Sequence, residues 1–538
     1  MNDLKIWKIA AIVLLTILII PIFILLIYLF TPNSAFFKTI VENTLLNYIK
    51  NTLVLGLSTA ALSALLGYSL AYFTTYYKFT FSKYMGFLLI LPLAIPTYIA
   101  GYTYEGMLNY VGIIQSTLRN LNITVNQSYF DILSMPGAIF VFSITLYPYV
   151  YLITKSYLAK QTAGYIESAR TLGSSSWKIF SSVILPISRP AIIAGSTLVL
   201  LEVLADYAVV TFFGIPTFTS AIFKTWYGLG EHNSAIKLAL MAMFIVITIL
   251  VIEKLLRGNR AYYSSSTLSK KVKKIQLKGY QNFLVSGFAV IVLSLGFIIP
   301  VAQQLYWAIK ESDRFMSTGL FELILRTVTV GFIASALIIV IALIVANVLR
   351  LSKPIYKKLA SNAILLGYSM SGAIIALGVL IIFVFIDRNM VWLYRIFNAD
   401  SKTLLLTMSP IILIFAYTVR FMSVGFNNIL STFDKTGRSY YEASKTLGMS
   451  TTKTFFKVDL PIMKLTVINS FILVFIDIIK EVTITLKLRP FNYDTLATKV
   501  YQYATDEMIP VASYPSLVII IICIVAIIIS NRLKKGRA

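Results

Sequence analysis

The sequence predicts an all-α membrane protein of twelve transmembrane helices in two parallel six-helix repeats. Three observations predict it: apolar residues come in long runs, basic residues gather on alternate connections, and a segment recurs at an offset of 275 residues.

The apolar runs come first. The chain is 58% hydrophobic and 13% charged, with a mean hydropathy of +0.81, whereas soluble domains are about 45–50% apolar and about 25% charged. Runs such as Ile9–Phe30 and Leu517–Ser530 reach or approach the length of about 18 apolar residues that reads as a membrane-crossing helix. Twelve spans are expected near 8–30, 46–75, 84–105, 136–156, 190–212, 235–256, 282–305, 322–349, 359–385, 404–426, 464–486 and 512–531. Lys5 and Lys8 precede the first run, which is too long for a signal-peptide core and reads as an uncleaved span. Pro92 and Pro96 predict a kink or a short re-entrant break in the third.

The net charge of +25 would suggest nucleic acid in a soluble chain. With a cytoplasmic N-terminus, however, roughly two thirds of the 47 Lys and Arg residues fall on cytoplasmic segments, and the acidic residues run the other way, as the positive-inside rule requires. No nucleic-acid partner is expected; the charge belongs at the surface of membrane lipid. The chain divides into a first half (1–256), a polar, basic, solvated linker (257–281) and a second half (282–538). One cysteine, Cys523, and one histidine, His232, exclude an internal disulfide and a Cys/His metal cage. Cys523 reads as a packing residue and His232 as a solvated loop residue.

The repeat sets the architecture. ESARTLGSSSWKIFSSVILP at 167–186 returns as EASKTLGMSTTKTFFKVDLP at 442–461. Six spans per half is an even number, so both halves enter from the same face and a pathway is expected between them. Gly173 and Gly448 are placed to take a positive φ that ends a short helix. Pro186 and Pro461 are expected to mark the turn into the next span.

The same offset relates Glu202 and Asp206 in the fifth span to Asp477 and Glu481 in the eleventh, each pair spaced i, i+4 and so on one helix face. Lys480 lies between the second pair. A charge at mid-span costs about 2.5–3.5 kcal/mol, so such groups face a cavity or a partner. Two readings stay open. The acids line a pathway and ease passage of a hard cation, or Lys480 pairs with Asp477 or Glu481 in a structural network.

The repeated segment resembles the Glu-Ala-Ala loop of ABC importer permeases. Here the triplet is Glu-Ser-Ala and Glu-Ala-Ser, and the usual Ile is Val in both copies. LPLAIPTYIAGY at 91–102, EVLADYAVVTFFGIPTFTSAIFKTW at 202–226 and DIIKEVTITLKLRPFNYDTLATKVY at 477–501 resemble the ferric-iron permease family, in which one chain carries both halves. The resemblance implies the type I importer (MetI-like) fold, a multi-pass protein of the bacterial inner membrane with both termini cytoplasmic. It implies that Glu167, Ala169, Gly173, Leu185 and Pro186, with Glu442, Ala443, Gly448, Leu460 and Pro461, couple the chain to a separate ABC ATPase subunit in two copies. A periplasmic substrate-binding protein is the other implied partner. Permeases of this layout are also associated with thiamine and a phosphonate. No Gly-x4-Gly-Lys-Ser/Thr sequence occurs, so ATP is expected to be used by the partner, with no cofactor bound by this chain and no catalysis of its own. A proton-coupled secondary transporter shares the twelve-span layout but has no use for two ATPase-docking loops. Phe218–Trp226 and Arg489–Val500 are expected on the periplasmic side, facing the binding protein or forming an aromatic belt.

Overall fold

The computed structural model describes residues 2–123, 126–161, 163–257, 274–313, 319–397 and 404–535. Among these, eleven helices are long and apolar enough to cross a membrane, and a bent pair completes a twelfth span. In chain order, spans 1 to 12 are Asp3–Phe30, Leu45–Tyr76, the pair Ser82–Ala94 and Thr97–Asn120, Met135–Ala159, Ser176–Ala205, His232–Leu256, Gly279–Lys310, Leu320–Leu351, Gly372–Trp392, Pro410–Thr436, Thr451–Ile479 and Ser513–Leu533.

The prolines of span 3 act as their chemistry requires. The chain bends by 86° between its two helices, where Pro92 opens a single 3-10 turn and Pro96 precedes the restarted helix. The stretch 359–385, expected as the ninth span, is interrupted at the matching place without a proline. The helix Pro354–Ser369 stops, and Ser371 Oγ accepts the Ile374 N–H of the helix that restarts at Gly372.

Spans 5 and 11 depart from expectation at both ends. Each begins in the repeated loop and stops early, at Ala205 and Ile479. Pro186 and Pro461 therefore do not mark a turn; each sits inside a continuous span. The reason is a π turn just before each proline, Phe180–Ile184 and Phe455–Asp459. The N–H of Leu185 reaches back to the Phe180 carbonyl and that of Leu460 to Phe455, and this wider turn admits the proline ring within one continuous span. Span 7 uses the same device before Pro300.

Each half lends its first span to the other. Span 1 packs against spans 8 and 9, and span 7 against span 12 and the first half's spans 3 and 4. Glycines make both crossings close: a Cβ on Gly378 would stand 2.5 Å from the Pro21 carbonyl, and one on Gly296 would stand 2.6 Å from that of Ile144.

Of the expected linker, 258–273 lies outside the described residues. Its end is not simply solvated: Ile275–Gln276 pairs in parallel with Tyr77–Lys78 after span 2. Cys523 is buried in span 12. His232 opens span 6 rather than sitting in a loop, and its ring stacks on Trp226 at 4.2 Å. Phe218, Phe223 and Trp226 are buried, so the first segment expected to meet a binding protein packs inward. In the second such segment Leu496, Ala497 and Val500 are buried, while Phe491 is exposed.

Candidate functional site

Two sites emerge, a pair of loops on one face and a cavity between the halves. The loops share one backbone design. Ala163–Thr171 ends before Gly173 (φ +73°), and Ser439–Thr446 ends before Gly448 (φ +76°). The next N–H closes the helix end in both, Ser174 onto the Ala169 carbonyl and Met449 onto that of Ser444, each at 3.0 Å. Ser175 and Ser450 then cap the following helix by accepting the N–H of Lys178 and Lys453. No atom lies within 4 Å of a Cβ built on either glycine. The positive φ alone demands glycine there.

Glu167, Glu442 and Ala443 are exposed, and Ala169 is half-buried. Leu185, Pro186 and Leu460 line the entry to spans 5 and 11, where Pro461 is exposed. Leu172 and Leu447, which the motif comparison did not single out, stand 84% and 81% exposed at the tips of the loops. Two symmetric exposed leucines at the loop tips suit a protein partner.

The loops differ in what holds them. At the second, the Asp3 carboxylate accepts from Thr452 N (2.9 Å) and Oγ1 (2.6 Å). Trp7 Nε1 donates to the same hydroxyl. Arg350 binds Asp459 through both nitrogens in a buried pair, under the ring of Phe433. The first half has Thr75 and Ile184 at the positions of Arg350 and Asp459.

The second site gathers all five charged residues singled out in spans 5 and 11. Glu202, Asp206, Asp477, Lys480 and Glu481 line one cavity of about 120 Å³ between the halves. It also takes residues from the break of span 3 and the interruption before span 9, as expected where interrupted helices face one another across a repeat axis. Among the described residues no three of His, Cys, Asp and Glu converge as a metal-ligand set, so the carboxylates are spread around the cavity.

Their surroundings divide the four acids into two kinds. Asp206 Oδ1 accepts the N–H of Val209 and Glu481 Oε1 that of Ile484, both at 2.8 Å. Each thus caps the short helix that restarts after its span breaks, Ala208–Phe212 and Thr483–Leu488. Thr97, on the restarted part of span 3, donates to Asp206 Oδ2 at 2.8 Å. Arg420 Nε lies 3.5 Å from Glu481 Oε2. Lys480, which one of the two readings paired with Asp477 or Glu481, donates to the Leu93 carbonyl at 3.1 Å, an acceptor freed by the break at Pro96. Glu202 has a different partner: Tyr368, at the end of the helix preceding span 9, donates to it at 2.6 Å. Asp477 is its symmetry counterpart.

The caps make a prediction. Asp206→Asn keeps an acceptor and is expected to leave stability within a few tenths of a kcal/mol, whereas Asp206→Ala costs about 1–2 kcal/mol. Thermal unfolding of the two purified variants checks this.

Arg420, Tyr149 and Tyr368 also line the cavity and were not anticipated. Span 10 runs to Thr436 rather than 426, which moves Arg420 from a helix end to mid-span. Its counterpart at the repeat offset is Thr145, so symmetry could not reveal it. The charge itself, within an apolar run, was the available signal.

Twelve spans in two halves, with matched loops and a polar cavity between the halves, define a membrane permease. The family described as the inner membrane component of binding-protein-dependent transport systems matches residues 63–257 and 338–536, and the chain belongs to it. Relatives cover one half or both. The Fe(3+)-transport system permease protein FbpB 2 of Haemophilus influenzae is 23% identical over 88% of this chain and 87% of its own. The ferric transport system permease protein FbpB of Actinobacillus pleuropneumoniae is 21% identical over 85% and 67%. The sulfate transport system permease protein CysT of Escherichia coli is 26% identical over 36% of this chain and 69% of its own.

Proposed function

We propose that this chain is the fused permease subunit of an ATP-driven importer that takes ferric iron from a periplasmic binding protein. The observation that carries the importer reading is the pair of loops at 167–186 and 442–461, with one backbone design and apolar tips on one face. Each is a lever for one copy of a separate ATPase subunit, which places that face and both termini in the cytoplasm. Iron is favoured because the relatives that match through both halves are named for ferric transport, while the sulfate permease of Escherichia coli matches only one. The cavity chemistry agrees: Glu202 and Asp477 are hard oxygen donors that are not committed to capping the broken spans.

The test is uptake of radiolabelled iron by proteoliposomes holding this chain, its ATPase and an iron-loaded binding protein, with thiamine as the competing cargo. ATP-dependent thiamine uptake without iron uptake would overturn the cargo. Failure of any ATPase subunit to co-purify would overturn the class. The loops add a prediction. Gly173→Val with Gly448→Val forces two β-branched residues into a left-handed conformation, at a cost of about 1–2 kcal/mol each. ATPase co-purification is expected to fall at least severalfold with the spans still folded, as gel filtration and circular dichroism would show.

A further inference from the structure

In the second half, the gap between the end of span 8 and the helix Thr451–Thr454 is filled from span 1. The Trp7 ring stands 5.0 Å from Phe455. At the matching place in the first half lies an aromatic groove of about 370 Å³. It is lined by Tyr68, Tyr72, Phe73, Tyr77, Trp177 and Phe180, with the hydroxyls of Ser69 and Ser176. The residue equivalent to Trp7 is Asn282, which is turned elsewhere: its side chain accepts from Thr80 N at 2.9 Å and donates to Thr80 Oγ1 at 2.8 Å. The pairing of Ile275–Gln276 with Tyr77–Lys78 draws the start of span 7 to that side.

We propose that this groove binds a membrane phospholipid through the protonated primary amine of its headgroup, the chemistry of phosphatidylethanolamine. The rings meet at varied angles, with Tyr72 5.0 Å from Phe180 edge-on, Trp177 5.4 Å from Phe180 stacked, and Tyr68 6.1 Å from Phe180 tilted. Six aromatic side chains border this one space, and among the described residues no acidic side chain lines it. A neutral aromatic cage of this kind attracts a cation by its ring quadrupoles. Lys78 and Lys178, both exposed, follow the lining residues Tyr77 and Trp177 and supply charge for the phosphate.

The route of entry is the bilayer. The groove sits where spans 2 and 5 reach the loop face, and its counterpart is filled by the end of a membrane span, so it opens toward the headgroup layer. Trp and Tyr are at home in that layer. The lipid would brace the first loop as Trp7 braces the second. Only the choice of leaflet rests on the orientation proposed above; the binding itself does not.

Native mass spectrometry of the full chain in detergent tests this, after reconstitution with phosphatidylethanolamine or with phosphatidylglycerol, which has the phosphate but no amine. The wild type is expected to retain phosphatidylethanolamine in preference to phosphatidylglycerol. Trp177→Ala and Tyr72→Ala are expected to lower that retention about five- to tenfold, and Trp177→Phe to keep most of it. Trp177 is 75% exposed, so its replacement leaves the fold intact. Equal retention of the two lipids, or retention unchanged in Trp177→Ala, overturns the proposal. So does a photo-crosslinker at position 177 that captures the ATPase polypeptide instead of lipid. None of these outcomes bears on whether the chain imports iron, which the uptake assay reads separately.

Discussion

Replacing Glu202 and Asp477 together, as Glu202→Gln with Asp477→Asn, is expected to cut iron uptake by about a hundredfold or more, because two unit charges 4 Å apart interact by about 4 kcal/mol at an effective dielectric of 20. A trivalent cation entering the cavity between the halves loses hydration that fixed carboxylates have to replace. Asp206 and Glu481 are already engaged by backbone N–H groups of the restarted helices, and Lys480 and Arg420 add positive charge to the same cavity. Removing the other two acids leaves a poor environment for a cation. The substitutions are close in size, and the amide oxygen introduced by Glu202→Gln can still accept from Tyr368, so folding and ATPase association should persist. Initial rates of iron uptake in proteoliposomes, alongside basal ATP hydrolysis by the same complex, decide the matter. Normal uptake would remove these carboxylates from the pathway.

The second large effect concerns the buried pair that holds the second loop. Asp459→Ala is expected to destabilise the chain by about 3–5 kcal/mol, because it leaves Arg350 charged and buried without a partner. The pair is almost fully enclosed, with side chains 4% and 2% exposed. Arg350→Met with Asp459→Leu removes both charges and is expected to recover most of that stability. The doubly replaced chain then separates fold from coupling. Its melting temperature should approach the parent's, while ATP-driven uptake falls if the pair transmits force from loop to span. A single Asp459→Ala variant as stable as the parent would show that Arg350 has found another partner and that the pair does not hold the second loop.

Much of this was legible in the sequence because duplication writes the same instruction twice. The offset of 275 residues located both loops, both helix-ending glycines and all four acids, and the structure puts the acids around one cavity. The offset failed where the halves diverged. Arg420 faces Thr145 across the repeat, and Ser371 replaces Pro96 at the interruption before span 9, so neither had an echo to be found by. The prolines misled for a different reason. Proline lacks an N–H and crowds the carbonyl of the preceding turn in an α-helix, but a wider π turn makes room for it, and nothing in the composition of Phe180–Ile184 announces one. The role of Trp7 depended on a contact 445 positions away, beyond the reach of any local pattern.

The exchange of first spans bears on how the molecule is made. A chain emerging from the ribosome inserts span 1 long before spans 8 and 9, its main neighbours, exist. For that interval Asp3–Phe30 must wait in the lipid as a lone rod. Its high hydropathy of 3.3 suits it to waiting, since nothing on it calls for early company. Final assembly then has to be a late event, in which the last-synthesised half collects a piece of the earliest. Shortened chains that stop before span 8, at residue 320, should accordingly display a first rod without its main neighbours, an obvious handle for membrane quality control.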